Sequence, residues 1–214
     1  MSRGSTLSTT SYAILGLLAV QPWSTYELTK QMDRSLGRVW PRAQSKLYEE
    51  PKKLVECGLA RVRTELVGRR PRAVYAITPK GRRALARWLK QPGAGPVLEF
   101  EGLLKLEFVE NGTKTDAMAS IAAARAWAVE RNAENLAAAR SYLAGTGPFQ
   151  QRAAINMIGG AFLTDFYAMV AAWADWAESV VKSWPDDPAQ AQADVEDLRQ
   201  IVGHASWSEQ GQHP

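Results

Sequence analysis

The 214-residue sequence predicts a mainly α protein in two parts: helices folded around one β-hairpin, then an all-helical remainder. Three observations predict it. Strand-like alternation is confined to residues 59–78, where Ala60, Val62 and Thr64 alternate with Arg61, Arg63 and Glu65. Helical periodicity dominates elsewhere. The charge changes sign at a Gly/Pro linker, QPGAGP, residues 91–96. Residues 1–90 hold 18 Lys and Arg against 6 Asp and Glu, a net +12, whereas residues 91–214 hold 8 against 16, a net −8. A basic half joined to an acidic one points to a first part that meets a polyanion and a second that does not; the other reading is two solvated faces. The expected domains are 1–90, a winged helix-turn-helix, 97–203, a helical domain, and 204–214, a flexible tail.

The elements follow in order. Thr9 to Val20 reads as a helix, apolar nearly all round through Ile14, Leu15, Leu17 and Leu18, and Pro22 ends it. Ser24 and Glu27 form a capping box. The helix they open carries Leu28, Met32 and Leu36, and Gly37 closes it. Trp40-Pro41 leads into a third helix with a buried stripe of Leu47, Pro51, Leu54 and Val55. A proline this deep removes a hydrogen bond and crowds the carbonyl of Leu47, so the helix is either kinked there or begins later. Gly58 is its left-handed cap. Leu59–Val67 and Ala73–Thr78 read as strands around a Gly68-Arg69-Arg70-Pro71-Arg72 tip. Thr78 then caps a helix with Pro79 at its first position and Leu85, Trp88 and Leu89 as its apolar stripe. Helix, basic hairpin, helix is the layout of a winged helix-turn-helix with a two-stranded wing.

Beyond the linker, Leu103 to Val109 predicts a short helix broken by Asn111-Gly112. Thr115–Leu143 is Ala-rich, with Ala122, Val129, Leu136 and Leu143 at sevens. A longer helix spans Phe149 to about Trp184. There Ile155, Phe162, Met169 and Trp176 recur at sevens, with Gly159, Phe166, Trp173 and Val180 four residues after each. A seam this long and aromatic implies a partner helix. Phe162, Phe166, Trp173 and Trp176 are therefore candidates for a dimer seam or for an aromatic effector site. Asp165 is either a solvent-facing acid or the group that orients a cationic ligand. Ala189–Val202 predicts a last acidic helix.

Composition excludes several classes. Cys57 is the single cysteine, so no intramolecular disulfide is possible and a reducing interior is the default. No apolar run reaches the ~18 residues of a membrane span, and the N-terminus lacks a signal-peptide pattern; a cytoplasmic protein without membrane contact is expected. His204 and His213 are the only histidines, which excludes a zinc site of the usual spacing. Phosphate-loop and nucleophile-elbow motifs are missing. Neither an enzyme nor a cofactor is expected.

Residues 1–90 resemble the PadR family of transcriptional regulators. The resemblance rests on Ser11-Tyr12-Ala13-Ile14-Leu15-Gly16-Leu17-Leu18, Tyr26-Glu27-Leu28, Leu47-Tyr48 with Lys53-Leu54, Gly58-Leu59, Tyr75-Ala76-Ile77-Thr78 and Lys80-Gly81. The acidic half is similar to the longer helical C-terminal domain of that family, best at Leu103–Phe108. The family more often has proline directly after the tyrosine of its recognition helix; here Glu49 follows Tyr48 and the proline is Pro51. The resemblance implies a homodimer held by the C-terminal helices that binds double-stranded DNA at an inverted repeat, usually to repress. It also implies a response to a small aromatic ligand. The alternative is a helical dimer that binds ligand or protein and does not act on DNA.

A helix in the major groove presents its N-terminal residues to base edges. Gln44, Ser45 and Tyr48 are the candidates there, with Arg42 reading guanine or gripping phosphate. Lys46 and Lys52 are expected on the DNA backbone. The resemblance supports a phosphate contact from the Tyr48 hydroxyl; the other reading is a half-buried ring closing the core. Arg69, Arg70 and Arg72 suit phosphate or the minor groove, or are solvated arginines only.

Overall fold

Trp23 and Ser24 form a two-residue strand, β1, that pairs antiparallel with Tyr75 and Val74 of the strand Arg70–Ile77, β3. The strand Ala60–Val67, β2, pairs on the other side of β3, from Ala60 opposite Ile77 to Val67 opposite Arg70. The sheet therefore has three strands in the order β1-β3-β2: the two-stranded wing expected, β2–β3, extended by β1, which the sequence pattern does not include. A two-residue strand is too short to show alternation. This computed structural model describes residues 7–41, 44–67 and 70–208, with backbone alone at 44–46, 67, 70 and 208. The chain divides into two units, Met1–Pro96 and Val97–Pro214.

In the first unit, helix α1 (Thr9–Val20) is capped by Ser8 and buries Ile14, Leu15, Leu17 and Leu18. Helix α2 (Thr25–Gln31) opens on the Ser24/Glu27 capping box. It ends in a π-helical turn, Met32–Leu36, in which the Gly37 amide donates to the Met32 carbonyl at 2.7 Å. Helix α3 runs unbroken from Gln44 to Glu56 with Pro51 inside it. Pro51 is fully buried beside Leu47 and Leu54. Its missing hydrogen bond is thus offset by ring burial, and the helix does not start later. Gly58 has φ +69 and closes α3 with Gly58 N–H to Val55 O and Leu59 N–H to Leu54 O, both 2.8 Å, the paired bonds of a Schellman cap.

Helix α4 (Pro79–Trp88) is capped by the Thr78 hydroxyl. Its stripe is shifted from the expected one: Gly81 and Ala84 are buried, while Leu89 is 68% exposed. The shift has a steric cause, since a Cβ at Gly81 would lie 2.1 Å from the Leu59 carbonyl oxygen, so α4 meets the chain before β2 at backbone distance. Tyr12 of α1 stacks on Trp88 of α4 at 5.0 Å.

The second unit holds α5 (Glu101–Leu106), α6 (Lys114–Leu143), α7 (Ala153–Ser183) and α8 (Val195–Ala205). A Thr113/Asp116 capping box starts α6. The buried faces of the two long helices are built largely of small residues: Ala117, Ile121, Ala124 and Ala128 on α6, and Val170, Ala174, Ala177 and Val181 on α7. The sevens predicted for α6 lie on its other side, with Val129 60% and Leu143 91% exposed. Asn135 is buried in the pairing and donates to Gly160 O at 3.0 Å and Thr164 Oγ1 at 2.8 Å. At the far end, Lys114 Nζ donates to the carbonyls of Lys182 and Trp184 and closes α7. The last helix runs through Ala205, so His204 belongs to it and not to a tail; residues 209–214 lie outside the described residues. Among the described residues one helical stretch, Gln150–Ser183, is long and apolar enough to cross a membrane by length and composition, its most apolar 18-residue window having mean hydropathy 1.3. This departs from the expectation that no apolar run would be long enough; the stretch also carries Asp165 and Asp175.

Two glycines predict opposite outcomes. Gly81→Ala forces a Cβ into backbone and should cost roughly 3 kcal/mol or more. Gly16, inside α1, has nothing within 4 Å of an added Cβ, so Gly16→Ala should stabilise by roughly 0.5–1 kcal/mol. Urea denaturation followed by circular dichroism checks both.

Candidate nucleic-acid interface

The buried side of α3 fixes what its other side offers. Leu47, Pro51 and Leu54 turn inward, leaving Tyr48 43% exposed and Lys52 exposed. Gln44, Ser45 and Lys46 occupy the first turn of the helix, the part that leads into a groove; their side chains, and all of Arg42, lie outside the described residues. Glu50 has a role that sequence reasoning missed. Its carboxylate accepts from Ser11 Oγ at 2.6 Å and Ser8 Oγ at 3.5 Å, which ties α3 to the start of α1. The Ser8-x-x-Ser11 spacing, itself a capping box, is the signal in the sequence that points to it.

The hairpin differs from expectation. Arg70, Pro71 and Arg72 are not tip residues; they belong to β3, paired with Val67, Leu66 and Glu65. Pro71 is tolerated because β1 pairs only with Val74 and Tyr75, leaving β3 an edge at that point. Arg69 lies outside the described residues, as does the side chain of Arg70. Arg72 is exposed and doubly paired: Nη1 lies 3.3 Å from Glu27 Oε1, and Nη2 lies 3.3 Å from Glu65 Oε2. Arg63 holds Glu65 from the other side at 2.7 Å. The carboxyl of Glu27 is held below its ordinary value, chiefly by the Ser24 backbone amide, then by the Ser24 hydroxyl, with the Arg72 charge adding to it.

Of the four aromatic candidates of the second unit, two line a groove and two are exposed beside it, with Phe162 stacked on Phe166 at 6.5 Å. Phe162 and Trp176 stand on the open side of α7, 58% and 37% exposed. Phe166 and Trp173 line a groove of about 830 Å³ together with Phe100, Trp127 and Met169. Phe100 meets Trp173 edge-on at 5.6 Å, and Trp127 meets Phe166 edge-on at 6.2 Å. Asp165 is exposed and not among the groove residues. Among the described residues no group of three or more His, Cys, Asp or Glu could hold a metal.

Residues 14–87 match the transcriptional regulator PadR-like family. The chain carries a PadR-like domain. The negative transcriptional regulator PadR of Bacillus subtilis is 34% identical over 100 residues, 46% of this chain and 55% of that protein. The chain spans about half the length of the curated relatives it matches. The crystal structure of Bacillus subtilis PadR in complex with operator DNA superposes with a TM-score of 0.71 at 22% identity, covering 81% of this chain and 99% of that one. The structure of the same protein with p-coumaric acid gives 0.63 at 20% identity, covering 83% and 99%. The likeness thus extends in fold past the PadR-like domain into the helical unit. The fold is mainly α: a winged helix-turn-helix, then an all-helical region.

Glu27 makes the PadR-like domain sensitive to acid. Because folding lowers its pKa, its contribution is present above the ordinary glutamate value of 4.5 and is lost as pH falls below it. The melting-temperature difference between wild type and Glu27→Gln should therefore be largest near neutral pH and shrink below about pH 4.5; thermal melts across that range check it. A difference independent of pH would show that the charge of Glu27 is immaterial.

Proposed function

We propose that this protein is a sequence-specific DNA-binding transcriptional regulator, a repressor that binds an inverted-repeat operator as a homodimer. The observation that carries this reading is a PadR-like domain whose third helix and wing belong to the net-positive end of the chain. Residues 1–90 are assigned to DNA binding. Gln44, Ser45 and Arg42 read bases, and Tyr48, Lys46 and Lys52 fix the register on the phosphates. Arg69 and Arg70 supply the charge of the wing. Bacillus subtilis PadR, solved with operator DNA, supports the same use of the same fold.

Residues 97–203 are assigned to dimerisation and effector binding. Ile155, Phe162 and Met169 are each more than half exposed along α7, a row of apolar groups suited to burial against a second copy. The aromatic groove suits a small planar ligand that stacks on Phe166 and Trp173; Bacillus subtilis PadR has been solved with p-coumaric acid. Ligand in the groove would change the spacing of the two recognition helices and release the operator. The protein acts in the cytoplasm and is not an enzyme.

Selection of bound sequences from a random duplex pool should return a palindrome with half-sites about one helical turn apart, or a multiple of it. Arg69→Glu with Arg70→Glu should weaken binding to every sequence and flatten the salt slope by roughly 0.9 for each phosphate no longer neutralised. Gln44→Ala should change the preferred bases instead. A pool that returns no common sequence, with affinity indifferent to salt, would favour the helical dimer that does not act on DNA.

The dimer has its own test. Phe162→Glu with Trp176→Glu places charge on the exposed face of α7 and should convert the protein to a monomer in sedimentation velocity, without loss of helical content. A wild-type monomer at micromolar concentration would contradict the seam.

A further inference from the structure

Arg72 suits DNA by its charge, yet its geometry suits another task. The register puts it directly opposite Glu65 on β2. The β1–β3 pairing places Ser24 opposite Val74, two residues further along β3, so the first turn of α2 lies against this end of the wing. One guanidinium reaches both carboxylates, Glu27 through Nη1 and Glu65 through Nη2. Each acid is held again on its outer side. Glu27 Oε2 accepts from Ser24 N–H at 2.8 Å and Ser24 Oγ at 2.7 Å, and Glu65 Oε1 pairs with Arg63. A continuous polar chain thus runs from Ser24 through Glu27, Arg72 and Glu65 to Arg63, from the helix cap to the wing.

We propose that Arg72 is a positioning residue that braces the β2–β3 wing against the start of α2 through Glu27 and Glu65, and that it makes no phosphate contact. The inference rests on the reading that the wing touches DNA. Two arginines and two glutamates form a cluster without net charge, which offers a polyanion little. The planar fork of arginine can bridge two carboxylates at once, and a lysine ammonium cannot hold the same geometry. The brace would set the angle at which Arg69 and Arg70 meet the duplex.

The test measures duplex affinity against salt, at a temperature where every variant is folded, for wild type, Arg72→Met, Arg72→Lys and Glu65→Gln. Exposed ion-pair networks act weakly, so Arg72→Met should lower affinity by about five-fold with the wild-type salt slope unchanged. Arg72→Lys should lose affinity too, although it keeps the charge. Glu65→Gln is the most discriminating variant. It should weaken binding although it removes a negative charge near DNA, because it releases the brace. A slope made shallower by about 0.9 in Arg72→Met, full affinity in Arg72→Lys, or tighter binding by Glu65→Gln would overturn the proposal. Hydrogen exchange of residues 60–77 by mass spectrometry tests the brace without DNA: faster exchange in Arg72→Met than in wild type supports it, and equal exchange refutes it. Should wild type show no salt-dependent duplex affinity, the DNA reading fails and the exchange result alone decides the brace.

Discussion

The N-terminal unit depends on the placement of Trp23 and Ser24. Ser24 pairs with Val74 in the sheet while its hydroxyl caps α2. Trp23 pairs with Tyr75, is buried, and donates its indole N–H to the Leu17 carbonyl of α1 at 2.9 Å. Two adjacent residues thus join α1, α2 and the middle strand of the sheet. With β3 paired on one side by β1 and on the other by β2, the hairpin cannot slide by one residue without turning Val74 and Tyr75 each to the opposite face of the sheet. The orientation of the wing relative to α2 follows from that register, and so does the meeting of Arg72 with Glu27.

The second unit follows a different rule. Alanines dominate the α6–α7 packing, with Tyr167 the one large aromatic side chain of α7 buried in it, while Phe162 and Trp176 stand on other faces. Asn135 fixes the register of the pair because its amide donates to Gly160 O and Thr164 Oγ1 on the facing helix. A slip would leave it buried and unpaired, at roughly 1–3 kcal/mol. Small residues thus line most of the inner contact, and Phe162 and Trp176 are left on the exposed side of α7.

Much of the fold is legible in the sequence because local chemistry agrees with tertiary structure. The Ser24-x-x-Glu27 box, the Thr78-Pro79 start and Gly58 are decided within a few residues, and each falls where the spacing places it. The failures share a cause, which is long-range packing. Strand β1 is recognisable only through its partner. Pro51 is tolerated because of what surrounds its ring. The buried face of α6 is hidden from periodicity because alanine carries almost no hydrophobic contrast, so Val129 and Leu136 draw the pattern to the exposed side. Arg72 reads as a tip residue because Pro71 signals a turn when the edge status of β3 is unknown. The division of the aromatic residues between an open face and a groove is invisible to heptad spacing, since both sets recur at sevens.

The most direct test of DNA reading by α3 and the wing is a titration of uniformly 15N-labelled full-length protein with a duplex recovered by selection, followed by amide chemical-shift changes. The largest changes should fall in the first half of α3 and along the wing, while α7 moves little. Changes concentrated in the helical unit, or none in residues 44–77, would contradict it.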